Sequence, residues 1–215
     1  MATIRYVTAI REFPVSMTVV RVVLIAALSG LAACGPSETQ RAAVAAATAE
    51  AAAKAAADAR LREERLAALE VERLAALWTY HSTPVGSGQQ ITALINSTGN
   101  VDTDGAGPKI VQLVFRDHPS WGKSSYLVLQ GGDFDCYRAC TVQVTVDEAA
   151  PKGMASRRPR TDEAIAMFIN DGPGLWRMTD GARRISVEFP VTAGGTRTAI
   201  FDVGGLDRSK MPGFK

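Results

Sequence analysis

Between Pro36 and Pro84 the chain contains neither proline nor glycine, and most of that stretch is alanine, glutamate, arginine, lysine and leucine. Alanine costs least to place in a helix, and nothing here breaks one. The composition predicts a continuous helix over 39–78. Ser37 and Glu38 sit where an N-cap and an early acidic residue help. Glu50–Lys54 and Asp58–Arg62 add acid-before-base pairs four residues apart. Forty residues at about 1.5 Å each would reach roughly 60 Å. Leu66, Leu69, Leu74 and Leu77 recur toward its end. A strict heptad would put Arg73 in the seam, whereas an eleven-residue spacing through Val44, Ala55, Leu66 and Leu77 fits better. Two uses stay open: a spacer whose far end docks on its own domain, or a thin stalk that makes a homo-oligomer.

The residues before this helix follow a different logic. Arg5, Arg11 and Arg21 supply positive charge, Val22 to Ala33 is uncharged, and Leu31-Ala32-Ala33 precedes Cys34. The uncharged run is well short of the roughly 20 residues that span a bilayer as a helix. It fits the apolar region of a secretory signal. Leu31-Ala32-Ala33-Cys34 resembles the lipobox of bacterial lipoproteins. That resemblance implies a signal peptide over 1–33, cleavage before Cys34, diacylglycerol on its thiol, and a short lipidated N-terminus over 34–38. Gly35 stands where aspartate would tend to favour retention in the inner membrane, so an outer-membrane anchor with the domain in the periplasm is expected. Several acyl chains on one cysteine would hold firmly, because a single chain binds only marginally. Met17 also opens a complete signal of ordinary length, so a start at Met1 or Met17 gives the same mature protein.

The chain has 24 Lys+Arg and 22 Asp+Glu. The signal takes three arginines and one glutamate, which leaves the mature chain balanced. Net charge thus offers nothing toward nucleic acid. With Cys34 assigned to lipid, Cys136 and Cys140 remain as a pairable set, and an oxidising compartment would preserve a disulfide. On a straight strand their Cα atoms would lie roughly 13 Å apart, beyond the roughly 7 Å limit of a disulfide. A bond therefore requires Tyr137-Arg138-Ala139 to turn. A C-x3-C pair could also serve zinc, but His81 and His118 are distant in sequence. The spacing is not that of a C-x-x-C redox pair.

After Tyr80 the composition turns β-branched, aromatic and glycine-rich. Strands are expected at 91–95, 110–115, 126–129, 141–146, 165–169, 185–191 and 198–203. Asp104-Gly105, Gly131-Gly132 and Gly194-Gly195 mark turns. Thr192 to Gly195 reads as a hairpin, and Gly174 to Asp180 as a helical turn with Trp176 and Met178 packed inward. Connections this short make antiparallel pairs. The fold class is therefore α+β: a long alanine-rich helix, then a mainly antiparallel β domain over 79–215, built as a small sandwich or a partly rolled sheet. The stretch from Phe134 to Asp147 holds the cysteine pair followed by Val142, Val144 and Val146 on one face. It resembles a pattern in exported bacterial proteins of unassigned role, and that resemblance carries no activity.

Chemical motifs are sparse. Asp117, His118 and Ser120 supply the residue types of a triad, but there is no nucleophile elbow and adjacent residues on an extended chain point apart. His118 reads as a loop residue, and His81 as structural at the helix–domain junction. Asn100, Asp102 and Asp104 match the opening of a calcium loop, although Val111 stands where a bidentate glutamate belongs. A hairpin turn is the competing reading. Gly105 to Lys109 lacks the spacing of a phosphate loop. No cofactor is expected. Arg157, Arg158 and Arg160 form a basic loop suited to solvent, or to anionic lipid, a teichoic-like polymer or a partner's acidic patch. Lys215, with a lipidated cysteine and a helix, resembles the plan of murein lipoproteins, but an alanine-rich helix and an intervening β domain depart from it. The expectation is a non-enzymatic binding module for another envelope protein, of secretion-machine or immunity type. An oligomeric envelope scaffold and an envelope hydrolase are the alternatives.

Overall fold

The computed structural model describes residues 37–159 and 165–214. Cys34 and the signal segment, Arg160 and Lys215 lie outside the described residues. The chain divides into two compact units, one ending at Ala52 and one running from Ala53 onward. Helix α1, Glu38–Ala76, supplies the described part of the first unit and the start of the second. Its start is built as its residues suggest: Gln40 N donates to Ser37 Oγ, and Ser37 N donates to the Gln40 side chain. None of its residues is buried.

The second unit continues from the last turn of α1 into nine strands: β1 Trp78–Val85, β2 Gly88–Asn96, β3 Val111–His118, β4 Gly122–Leu129, β5 Cys140–Val146, β6 Lys152–Arg157, β7 Ala166–Ile169, β8 Arg184–Pro190 and β9 Thr196–Asp202. A short helix α2, Gly172–Met178, joins β7 to β8. The strands form one sheet in the order β1-β2-β3-β4-β7-β6-β5-β8-β9, every pair antiparallel. The fold class is α+β, with one helix ahead of a mainly β domain.

Two strands depart from the expectation. Trp78 begins β1 rather than ending the helix, and its exposed, proline-bearing edge run disguises the alternation. Arg157 closes β6 rather than opening a loop; Lys152–Arg157 offers a single large apolar residue, Met154, and that side chain is buried.

Alternation sorts every strand into two faces. Ile95, Leu113, Leu127 and Met167 share one inward row, and Ala93, Phe115, Ser125 and Ile169 share the next. Val142, Val144, Ile185, Val187, Ala199 and Phe201 continue the same apolar cluster at the other end of the sheet. A sheet whose strands all feed one core must curl around it. Its ends approach accordingly: Thr98, just after β2, donates its N–H to the Ile200 carbonyl of β9 at 2.8 Å.

The open side of the curl is filled by α2 and the C-terminal residues. Asp171 caps α2 by accepting from Gly174 N, and Pro173 suits its first turn. Trp176 packs edge-on to Phe115 at 5.0 Å and lies 4.9 Å from Phe214. Leu175 shares the burial, while Met178 is half-buried at the margin of the cluster.

The last turn of α1 rests on the strand-end residues 203–206. A Cβ at Gly205 would collide with the backbone of Leu74 and Ala75, so only glycine permits this approach. Arg73 joins Asp202 at 3.8 Å. Leu66, Leu69 and Val71 stay exposed.

Candidate functional site

The outward face of the sheet carries polar and apolar side chains, among them Leu94, Val114 and Val128. Register places Tyr126 of β4 opposite Phe168 of β7, and Phe168 opposite Arg157 of β6. One residue pair further along, Arg116 of β3 faces Ser124 of β4. Arg116, Ser124, Arg157 and Phe168 line a cleft of about 860 Å³, within the range usual for ligand sites, and Tyr126 packs against Arg116 and Phe168. Five cations line it: Arg116, Lys123, Arg138, Arg157 and Arg158. Among the described residues the lining holds no carboxylate, histidine or cysteine.

Arg116 is the centre of the floor. Its guanidinium carbon lies 5.4 Å from the Trp121 ring centre, 5.3 Å from Tyr126 and 5.7 Å from Phe168. Three ring faces around one cation fix its position electrostatically and by packing. Its Nε–H donates to Ser124 Oγ at 3.2 Å. Burial pushes the Tyr126 phenol above its ordinary value, against the opposing pull of Arg116, so this hydroxyl stays neutral. Tyr126 and Phe168 meet at 4.9 Å.

Two turns form the walls. The β3–β4 turn carries Trp121, which is 72% exposed. His118 holds it: the imidazole stacks on the indole at 3.9 Å and 11°, and Nδ1 accepts from the backbone N–H of Ser120 and Trp121. Gly122 closes the turn with a φ of 70°, which favours glycine. His118 is thus the buried last residue of β3, not a loop residue, and its Nδ1 serves the backbone.

The opposite wall is the cysteine turn. Cys136 and Cys140 are joined, with Cα atoms 5.1 Å apart, and the chain bends at Tyr137-Arg138 as the spacing required. Cys136 is buried in the core while Tyr137 and Arg138 are exposed on the cleft. Arg158 N donates to the Cys136 carbonyl, and the Arg158 guanidinium pairs with Asp133 at 2.7 Å, tying this turn to the end of β6.

The basic residues singled out in the sequence therefore belong to a larger site. Arg157 and Arg158 line it, and Arg160 lies outside the described residues. Arg116, Trp121, Tyr126, Tyr137 and Phe168 carried no sequence signal, because three strands and two turns bring them together.

Asn100, Asp102 and Asp104 sit apart from the cleft, in the β2–β3 connection. Asp102 Oδ1 accepts from Gly105 N at 2.7 Å, and Asp104 pairs with Lys109 at 2.7 Å while accepting from Ala106 N. Both carboxylates are occupied in shaping the turn. Hydrogen bonding from Lys109 holds the Asp104 carboxyl below the usual carboxylate range. Among the described residues no group of three His, Cys, Asp or Glu could hold a metal ion. His81 is exposed on β1. No helix of the described residues is long and apolar enough to cross a membrane. No protein-family model, curated protein or solved structure matches the chain.

Proposed function

We propose that this protein is a lipid-anchored component of the bacterial envelope, held at the outer membrane through Cys34, whose β domain is a non-enzymatic binding module for another envelope protein. The observation that carries the binding part is the cationic and aromatic cleft on the outward face of the sheet. Its cations favour an acidic partner, and its rings supply contact area at low entropic cost. Ser124 in the lining has no histidine or carboxylate beside it among the described residues, which favours binding over turnover. The anchoring part rests on Leu31-Ala32-Ala33-Cys34.

The test is made in cells. Radiolabelled palmitate and outer-membrane fractionation should both mark the wild-type protein, and Cys34→Ala should abolish both. A photo-crosslinking residue in place of Trp121 should then trap one defined protein, while the same residue in place of Thr198, exposed on β9, should not. Lipid labelling that survives Cys34→Ala, or equal trapping at the two positions, would refute the proposal.

A second reading, an oligomeric scaffold, draws on the exposed Val44, Leu66 and Leu69 of α1. Sedimentation of the full chain in detergent separates the two: a monomer removes the scaffold.

A further inference from the structure

We infer that the cleft recognises an extended acidic protein segment of the form acid-x-apolar-x-acid. The inference rests on the binding-module reading above and specifies the partner's chemistry.

The dimensions come from the sheet. Arg116 on β3 and Arg157 on β6 are separated by three inter-strand steps, since the order there is β3-β4-β7-β6. At about 4.8 Å per step, with a two-residue offset along the strands, the two cations stand roughly 16 Å apart at their backbones. An extended chain rises about 3.3 Å per residue and returns a side chain to the same face at every second position. Acids four residues apart therefore project on one side about 13 Å apart, and the exposed Arg157 side chain closes the remainder. The side chain midway between them falls near Phe168, the aromatic ring of the cleft on the strand between β4 and β6. An apolar or aromatic residue is what that floor accommodates.

The chemistry points the same way. Arg116 is half-buried and held by three rings, so little side-chain freedom is lost when it meets a ligand. Beyond Ser124, its remaining N–H donors meet no hydrogen-bond acceptor among the described residues. A guanidinium presents paired donors in a plane that matches a carboxylate. Four of the five cations are arginine, flanked by exposed Trp121 and Tyr137. Arg, Trp and Tyr are the residue types that concentrate binding energy at protein interfaces.

The test uses the full lipidated chain in detergent micelles and fluorescent nonapeptides. The probe carries Glu-Ser-Phe-Ser-Glu at its centre. Comparison peptides replace either Glu by Gln, replace Phe by Ser, or bring the two Glu to a spacing of three. Anisotropy should show the probe tightest, with each comparison peptide about tenfold weaker. Arg157→Gln should remove the advantage of one Glu while leaving the other, and Arg116→Gln the converse. Arg183→Gln, a basic position off the cleft, should leave all affinities within twofold. Arg157 is exposed at the end of its strand, so this variant reports even if Arg116→Gln disturbs the fold. Equal binding of the shifted or amide peptides would overturn the inference, as would absence of binding by every peptide up to millimolar concentration. Oligogalacturonate that binds where the peptides do not would make the cleft a glycan site. That result overturns the segment inference, while trapping of a protein at position 121 in cells is read separately and decides the binding-module proposal.

Discussion

The two faces of the same strands teach different lessons. On β7, Met167 enters the apolar core and its neighbour Phe168 enters the cleft; on β4, Leu127 and Ser124 divide likewise. The inward residues touch one another across every strand and exclude water, so their value is stability. The outward residues meet around one cation and leave a cavity, so their value is recognition. A change on the inner face should therefore cost stability first, and one on the outer face should cost binding without loss of fold.

The largest effect is expected at Trp176. It is 1% exposed and contacts Phe115 and Phe214, so Trp176→Ala should destabilise the domain by about 3–5 kcal/mol. Denaturant unfolding followed by circular dichroism measures it; a loss below about 1 kcal/mol would break the division between faces. Next comes the cysteine bridge, which joins them: Cys136 is in the core and the turn it closes carries Tyr137 and Arg138. Closing so short a loop is worth about 2 kcal/mol in the chain-entropy account. Replacing both cysteines by serine should lower stability by about that amount and weaken peptide binding as well. A stability loss with unchanged binding would show that the turn is not a wall of the site.

How far the sequence revealed this depends on which face a residue serves. Composition alone was enough for the helix, and alternation for most inward rows, because Val142-x-Val144 and Ile185-x-Val187 repeat at the period of a strand. The disulfide was legible because local spacing dictated a turn. Lys152–Arg157 was not, since its inward residues are Met154 and the buried Ser156, which show no apolar run. The cleft was the least legible part. Arg116 acquires its meaning from Phe168, a neighbour created by the β4–β7 pairing, and no local pattern announces a contact of that range. Only the end at Arg157-Arg158 was visible, as a charge run.

Trp121 gives a sharper and smaller test. Its ring is mostly in solvent, so Trp121→Ala should change stability by no more than about 0.5 kcal/mol, the usual range for surface positions. Yet it forms one wall of the cleft, and peptide affinity should fall clearly. Thermal unfolding and anisotropy on the same sample decide it: a variant that unfolds early would place Trp121 with the inner face.

The smallest effect contrasts two kinds of cation. Among the described residues Arg116 meets no carboxylate in its cleft, whereas Lys109 has Asp104 at 2.7 Å in the β2–β3 turn. That bond lowers the folded pKa of Asp104 below its unfolded value of about 3.9. A depressed carboxyl pKa favours the folded state above the unfolded value, and the contribution is lost as pH falls below about 3.9 and through the folded pKa. NMR titration of the Asp104 carboxyl should therefore show a midpoint lower than in an unfolded peptide. Lys109→Met should move that midpoint up toward the ordinary value and leave stability at neutral pH only slightly reduced, because both groups are partly exposed. An unmoved midpoint in Lys109→Met would mean that backbone N–H groups such as that of Ala106, not the lysine, hold the carboxylate. The turn would then owe its shape to hydrogen bonding alone, and the distinction between a cation matched within the fold and one left for a partner would rest on the cleft.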